Sequence, residues 1–222
     1  MSLESRKSGT LEDSGAELVD QMTSFWDRYG RIVLGTAGAV IVIGLVTWFT
    51  LQSNAKQESA AAAKLAEANS LFWQGDYARS KTAADEIAHT FASTKSGVDA
   101  LRISGDDSFW LGKWKDAATE YNAYLAKNGS GLLANAVRRS LAYACESDKR
   151  YAEAGKLFDQ LTGVFDRESS AEFLAAAARC SEATNDRPGA VQRLQRLVGE
   201  FGDTSYANRA RLKLAELGAA SN

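Results

Sequence analysis

The chain has 222 residues, a single proline and a formal net charge of −2. Its 26 basic and 28 acidic residues nearly cancel, which excludes the dense basic footprint that nucleic-acid binding requires. One histidine and two cysteines are too few for an ordinary zinc site, and the sequence has no nucleophile elbow and no phosphate-binding glycine loop. We therefore expect a protein that is not an enzyme and that has no metal and no cofactor.

The first segment, residues 1–31, is a polar tail with six acidic and four basic residues. From Leu11 onward it can form a helix, because Leu11, Leu18, Val19 and Met22 fall on one helical face. Two interpretations remain open for this tail. It lies as a helix against a partner or a membrane surface, or it is partly disordered.

Residues 32–51 are twenty consecutive positions without a charged side chain. As a helix they cover roughly 30 Å, the hydrocarbon thickness of a bilayer, so we predict a transmembrane helix. Trp26 and Tyr29 before the segment and Trp48 near its end are typical interface anchors, and Arg31 borders it directly. A cleaved signal peptide is the main alternative, but its apolar region is usually about 7–15 residues long and its leader is short and basic.

The orientation follows from the basic residues on either side of the span. Arg31 abuts the apolar segment, whereas Lys56 is the first basic residue beyond it. The positive-inside rule then predicts a cytoplasmic tail, with residues 52–222 on the other side of the membrane. Gly35 and Ala39 form a pair of small residues that would let another membrane helix approach closely.

The remaining segment repeats itself. Tyr77, Trp114, Tyr151 and Arg187 follow one another at intervals of 37, 37 and 36 residues, and each comes directly after a turn-like tripeptide. Small or apolar residues recur 3, 7, 10 and 14 positions after each anchor, with only Asn128 outside this class, and these offsets are the spacing of one helical face. These face positions are Ser80, Ala84, Ile87 and Phe91; Ala117, Tyr121, Tyr124 and Asn128; Ala154, Phe158, Leu161 and Phe165; and Ala190, Leu194, Leu197 and Phe201.

This pattern resembles the tetratricopeptide repeat. The segment Gln74 to Tyr77 is similar to the turn between the two helices of that repeat, and small residues stand at its two small positions. The interval of 37 departs from the usual 34, and the proline that often ends a repeat is absent. The predicted fold is all-α: one transmembrane helix, then an α-solenoid of about four helical hairpins over residues 56–203, then a capping helix Ser205–Leu217. An irregular helical bundle is the alternative.

The layout also resembles a family of membrane-anchored proteins that includes the ancillary subunit of the bacterial Sec translocon. The resemblance implies a bacterial inner-membrane protein with a cytoplasmic N-terminus and a periplasmic domain. It implies docking on membrane machinery and holding of client or chaperone segments. The expected partners are the lipid bilayer and other subunits of a bacterial membrane complex, which is a translocon, an envelope machine, or a respiratory or photosynthetic assembly.

In tetratricopeptide stacks the first helix of each hairpin lines a concave groove that often holds a peptide. Alignment to that family implies a partner-binding set of aromatic and arginine residues: Phe72, Trp73, Arg102, Phe109, Trp110, Arg139, Tyr143 and Arg179. The alternative is that the four Phe and Trp residues of this set fill the spaces between helices.

Three smaller features complete the sequence-based expectations. Cys145 and Cys180 fall on neighbouring first helices, and either a disulfide or two buried free thiols is consistent with their spacing. His89 lies off the apolar stripe, so we expect it to be exposed. The segment Gly105 to Asp107 is interpreted as a helix interruption with paired acids, and residues 55–74 as a continuation of the membrane helix.

These expectations favour a non-catalytic scaffold, an accessory subunit of a larger membrane complex that docks through the span and the repeat domain. The alternative is a periplasmic chaperone-like module that holds extended peptide clients in the groove.

Overall fold

The computed structural model describes the backbone of residues 11–218 and the side chains of residues 19–218. Between residues 11 and 218 all regular structure is α-helical, with nine helices and no strand. The helices are α1 Leu11–Trp73, α2 Tyr77–Thr90, α3 Lys95–Trp110, α4 Trp114–Asn128, α5 Ala134–Ser147, α6 Tyr151–Leu161, α7 Arg167–Ala183, α8 Arg187–Glu200 and α9 Ser205–Glu216.

The chain divides into two units, residues 1–55 and residues 56–222, and each is described by itself. In the first unit the side chains of residues 32–51 are exposed, apart from a partly covered Val33. This part of α1 is long enough and apolar enough to cross a bilayer. The helical backbone of α1 has no break up to Trp73, as the absence of glycine and proline after Ala55 predicts.

The second unit is a solenoid of helical hairpins. The end of α1 pairs with α2, and α3/α4, α5/α6 and α7/α8 follow as further hairpins, each packed on the next. The four repeat anchors are the first residues of the second helices α2, α4, α6 and α8. The last helix, α9, packs on α7 and α8 and closes the stack. The predicted architecture of four hairpins and a capping helix is therefore confirmed.

The turns inside the hairpins repeat a backbone conformation. Gly75, Gly112, Lys149 and Asn185 stand two residues before the four anchors, and all have a positive φ between 58° and 80°. The left-handed conformation at this position ends the first helix of each hairpin, and glycine adopts it without steric strain. The third and fourth hairpins use Lys149 and Asn185 instead, and of these two only asparagine tolerates this conformation well.

The repeated face forms the core. Every residue 3, 7 and 10 positions after an anchor is buried, and so is the small residue on each first helix. The largest cluster lies in the middle of the solenoid and contains four completely buried rings, those of Tyr121, Tyr124, Phe158 and Phe173. A smaller cluster joins α7, α8 and α9, and another joins the end of α1 to α2 and α3.

The interpretation of Gly105 to Asp107 as a helix interruption is wrong, because α3 is continuous from Lys95 to Trp110. Gly105 instead makes room for a ring of the next helix. A Cβ at this position would lie 2.6 Å from Cε1 of Tyr121. The small residue therefore serves the close approach of an aromatic side chain to helix α3.

The seam between the first two hairpins contains buried polar groups. The Lys81 ammonium donates to Ser104 Oγ at 2.8 Å and pairs with Glu120. Asp107 is completely buried, and among the described residues neither of its carboxylate oxygens has a hydrogen-bond partner. The neighbouring hydroxyl of Ser80 donates to the Ala68 carbonyl instead. Burial raises the pKa of Asp107 to about 7, because an ionised carboxylate loses its hydration there.

Candidate interaction surface

Three first helices and one second helix surround a depression of about 430 Å³, which we call the aromatic pocket. Helices α3, α5 and α7 supply most of its wall, and α4 contributes one ring. The lining residues are Asp106, Phe109, Trp110, Tyr121, Arg139, Ser140, Tyr143 and Glu172. Consecutive first helices thus form a common concave wall, and its volume falls within the usual range of ligand pockets.

Four of the eight residues expected in the groove line this pocket, namely Phe109, Trp110, Arg139 and Tyr143. Arg102 does not line the pocket, but its guanidinium Nη1 donates to Oδ2 of the lining residue Asp106 at 2.9 Å. The other three groove residues, Phe72, Trp73 and Arg179, are not part of the wall.

One acidic group of the pocket is held by two donors. Asp106 accepts from Arg102 and, at 2.8 Å, from the hydroxyl of Tyr121. Burial raises the pKa of Asp106 above its usual range, and these two hydrogen bonds partly offset that effect. Burial and the neighbouring Asp106 also raise the pKa of Tyr121, so its hydroxyl stays a donor. Asp106 and Tyr121, which both line the pocket, are therefore fixed in a hydrogen-bonded triad with Arg102.

The part of the pocket formed by α5 and α7 contains one cationic side chain, Arg139, that a ligand can bind. The hydroxyl of Tyr143 donates to Glu172, and burial followed by this bond raises the pKa of Tyr143. The Arg139 guanidinium lies over the ring of Phe165, with 5.6 Å between the carbon Cζ and the ring centroid. Arg139 is exposed, and among the described residues it forms no ion pair. A ligand carboxylate can therefore pair with Arg139 without displacing a carboxylate of this chain.

A series of aromatic rings leads out of the pocket along the hairpin turns. Trp110 stacks on Tyr77 with 5.7 Å between ring centroids, and Phe72 lies 5.4 Å from both Tyr77 and Trp73. We call Phe72, Trp73, Tyr77 and Trp110 the aromatic edge. Trp73 is 82% exposed and Trp110 is 62% exposed, whereas Phe72 is partly buried.

The alternative in which four aromatic residues fill spaces between helices therefore holds only in part. Phe72 and Phe109 are partly covered, and Phe109 packs against the central core cluster. The two tryptophans remain largely exposed. The sequence-based reasoning did not assign Tyr121 or Glu172 to the pocket or Tyr77 to the aromatic edge, because these positions depend on contacts between different helices.

A second depression, of about 420 Å³, lies between α7, α8 and α9. It contains Arg179, which pairs with Glu146 at 3.1 Å, and Lys213, whose ammonium lies 3.2 Å from the carboxylate of Glu182. Its wall also includes Tyr206 of the capping helix. Each of these two cations has an acidic partner, whereas Arg209, which also lines this depression, is exposed and forms no ion pair among the described residues.

The residues expected to contact the membrane are exposed in the first unit. Nothing lies within 4 Å of a Cβ built on Gly35, and Ala39, Tyr29, Arg31 and Trp48 are exposed. The indole of Trp26 covers Gly30, since a Cβ at that glycine would lie 3.4 Å from its ring atoms.

Cys145 and Cys180 are buried free thiols in the structure, and burial raises the pKa of both to about 11. His89 is exposed, as its position off the apolar stripe predicts. A thiolate is disfavoured at both cysteines, so neither is a reactive nucleophile in the folded domain.

Comparison with known proteins agrees with this fold. Residues 23–165 match the model of the tetratricopeptide repeat-like domain family, and the chain belongs to that family. Similar solved structures include a putative kinesin light chain of Podosopora anserina with nearly identical TPR-like repeats and a glutamine-to-methionine variant of the same protein. Both are 16% identical to this chain, cover 72% of it and superpose with TM-scores of 0.56 and 0.57; the matches cover 86% and 85% of those chains. No curated protein matches the chain.

Proposed function

We propose that this protein is a membrane-anchored, non-catalytic scaffold, an accessory subunit that docks on a larger bacterial membrane complex. The observation that carries the proposal is the aromatic pocket with its adjoining aromatic edge, on a fold that commonly serves protein interaction. The partner segment would lie across α3, α5 and α7. Residues 32–51 would hold this surface at the membrane.

The chemistry of the pocket suggests what the partner presents. Exposed tryptophan and unpaired arginine are the residue types that dominate binding energy at interfaces. Burying a large aromatic side chain contributes about 2–3 kcal/mol, so Trp110 and Phe109 favour an apolar side chain of the partner. Arg139 favours an acidic group next to that side chain. An apolar residue beside an acidic one is therefore the expected core of the partner segment.

Membrane anchoring is supported by the length and apolar character of residues 32–51 and by the extent of the family match. The matched region begins at residue 23 and so includes the whole apolar segment. In our proposal the tail is cytoplasmic and the repeat domain is periplasmic, in the bacterial inner membrane. A protein-export translocon is one candidate host, on the basis of the shared layout with its ancillary subunit.

The experiment is affinity capture of the full-length protein from membranes extracted with mild detergent, followed by quantitative mass spectrometry. The test variant carries Trp110→Ala and Arg139→Ala. The control variant carries Leu132→Ala and Lys115→Ala, which also removes one exposed apolar side chain and one cation, but outside the pocket. We expect a stoichiometric set of membrane subunits with the wild type and the control, and an at least tenfold loss with the test variant.

Equal recovery with both variants would contradict the assignment of the pocket. A broad, substoichiometric set of exported proteins would instead support the chaperone-like alternative. In that case Phe72→Ala combined with Phe109→Ala should weaken client binding. Replacing Gly35 and Ala39 by leucine tests the span separately, because it should loosen the complex only if another membrane helix packs there.

A further inference from the structure

The hydrogen-bond donors in the seam between the first two hairpins are already bound to two carboxylates. The Lys81 ammonium of α2 lies 3.1 Å from the Asp85 carboxylate and also pairs with Glu120 of α4. Two acids therefore share this one cation. The hydroxyl of Ser104 donates to Asp85, and the hydroxyl of Ser108 donates to Glu120 at 2.8 Å.

Asp107 of α3 is a further acid of this seam, and it receives no donor. It is completely buried, and neither of its carboxylate oxygens has a hydrogen-bond partner in the described part of the chain. The neighbouring hydroxyl of Ser80 donates at 3.0 Å to the Ala68 carbonyl at the end of α1. A protonated Asp107 can itself donate a hydrogen bond, whereas an ionised Asp107 would be a buried charge without a partner.

The charged groups around this acid do not neutralise its ionised form. The packed helices contribute Lys81 and Asp85 from α2, Asp106 with its partner Arg102 from α3, Glu120 from α4 and Arg139 from α5. Lys81 already has two acidic partners, and Arg139 lines the aromatic pocket, which does not include Asp107. Among the described residues, no cation of the seam is therefore left to pair with an ionised Asp107.

This seam holds the first hairpin, residues 56–90, on the rest of the repeat domain. In a solenoid each hairpin contacts only its neighbours, so the first hairpin depends on its contact with the second. Its apolar contact with α3 is a small aliphatic cluster that includes Leu65, Ile87 and Ile103. Weakening of the seam would therefore release one terminal hairpin and leave the central core cluster in place.

We infer that this seam is a pH-sensitive joint: when Asp107 loses its proton, the first hairpin separates from α3 and α4 while the other hairpins stay packed. Burial raises the pKa of Asp107 to about 7, so separation becomes more favourable as the pH rises from about 4 to about 7. Tyr77 of the first hairpin stacks on Trp110 of the second, and separation would break this contact of the aromatic edge.

The test is hydrogen–deuterium exchange with mass spectrometry on the full-length protein in detergent at pH 5 and pH 8. The rates are corrected for the intrinsic pH dependence of amide exchange. The opening constant of α2 should rise at least tenfold from pH 5 to pH 8. About hundredfold is the limit, because about two of the three pH units between the folded and unfolded pKa lie in this interval.

Helices far from the seam serve as internal references in the same experiment. Helix α9, at the other end of the solenoid, can open without exposing Asp107, so its opening constant should change less than twofold. Helix α6 lies in the third hairpin, between two neighbours, and should stay more protected than α2 at pH 8. The experiment needs no partner, so its outcome is independent of the proposed docking.

Three variants identify the group that titrates. Asp107→Asn should remove the pH dependence of α2, since asparagine does not titrate, and Asp116→Asn at an exposed position of α4 should behave like the wild type. Histidine usually titrates in this pH interval and His89 lies on α2, so His89→Gln is a further control that should leave the response unchanged. The wild type and His89→Gln test the joint even if Asp107→Asn does not fold.

Four results would each overturn the inference. The first is an α2 that opens equally at pH 5 and pH 8. The second is an α6 that opens as readily as α2 at pH 8, because the whole domain would then unfold together. The others are a pH response of α2 that Asp107→Asn retains and a response that His89→Gln removes.

Discussion

The middle of the solenoid and its first hairpin are built from the same repeat but use aromatic residues in opposite ways. In the middle, the rings of Tyr121, Tyr124, Phe158 and Phe173 are completely buried. At the first hairpin the buried cluster is aliphatic and small, with Ile87 among its largest members, and no aromatic residue is completely buried: Phe72, Tyr77 and Phe91 are partly buried and Trp73 is exposed. Position in the repeat alone therefore does not decide whether a ring is buried in the core or exposed at the surface.

The two regions also differ in how their seams are filled. The central cluster joins its hairpins through buried apolar residues, with polar contacts such as Tyr143 to Glu172, whereas the seam of the first two hairpins contains Asp107, Lys81 and Glu120. In a solenoid, stability is approximately a sum of local interface contributions. The first hairpin should therefore be the weaker part, and its exposed rings are available to a partner.

The largest expected effect is the loss of a central ring. Phe158→Ala removes a completely buried ring that contacts Tyr143 and Phe173, and we expect it to lower the free energy of unfolding by about 3–5 kcal/mol. Trp73→Ala should change it by less than about 0.5 kcal/mol, because the indole is exposed. Denaturant unfolding of the full-length protein in detergent, followed by circular dichroism, measures both. If both variants lost the same free energy of unfolding, the contrast between the buried central rings and the exposed Trp73 would be contradicted.

The buried acid of the first seam predicts a pH dependence. The pKa of Asp107 is raised to about 7 in the folded state, so the folded protein binds its proton more tightly than the unfolded chain does. The contribution of Asp107 to stability should therefore be greatest at low pH and fall as the pH rises from about 4 to about 7, with a limiting slope of about 1.4 kcal/mol per pH unit. Lys81 and the acids Asp85 and Asp106 act on the same group.

The measurement is the free energy of unfolding of wild type and Asp107→Asn at pH 5 and pH 8. The wild type should lose about 2–3 kcal/mol more than the variant over this interval, since asparagine does not titrate. Asp116→Asn, at an exposed position of α4, is the control and should behave like the wild type. Parallel curves for wild type and Asp107→Asn would show that this carboxyl does not govern the seam.

A third prediction tests the approach of Tyr121 to helix α3. Gly105→Ala should lower stability by about 1–3 kcal/mol, because its Cβ would overlap the ring and Tyr121 is fixed by its bond to Asp106. Gly155→Ala is the matched change in the next hairpin. Its Cβ would lie 3.4 Å from the Cβ of Cys180, an ordinary contact, so alanine should be neutral or stabilising there. Thermal unfolding of the two variants compares them, and a stable Gly105→Ala protein would contradict this packing.

The smallest effect concerns the hairpin turns. Lys149→Gly should raise the free energy of unfolding by about 0.5–1 kcal/mol, because lysine is strained at a φ of 62° and glycine is not. Gly112→Lys makes the opposite change at the equivalent position and should lower it by a similar amount. If both variants had the wild-type stability, backbone strain at this repeat position would be negligible.

The repeat spacing was sufficient to predict the buried face, because offsets of 3, 7 and 10 from an anchor select one side of a helix whatever its neighbours are. The resemblance to the tetratricopeptide repeat placed Phe109, Trp110, Arg139 and Tyr143 in one groove, and these four residues line the aromatic pocket, but Ser140 and Glu172 were not foreseen. Their role in partner binding stays a prediction. The repeat spacing did not predict the triad of Arg102, Asp106 and Tyr121 or the stacking of Tyr77 on Trp110. Those contacts join different helices, and their geometry depends on how consecutive helices are stacked.

Gly105 is a second case in which a contact between helices could not be predicted from the sequence. A helix-interior Gly followed by two acids is a reasonable indicator of a break, since glycine and aspartate are weak helix formers. In the structure the tertiary contact with Tyr121 outweighs this local preference, and the helix continues.

The most direct test of the proposed function measures whether the aromatic edge and pocket are covered in the native membrane. Hydroxyl-radical footprinting with mass spectrometry compares oxidation rates in native membranes and in the purified protein. We predict that Trp73 and Trp110 oxidise at least fivefold more slowly in native membranes, while Leu132, which is 99% exposed and lies outside the pocket, reacts equally in both. Equal oxidation of the two tryptophans in both states would contradict a scaffold that docks through this surface.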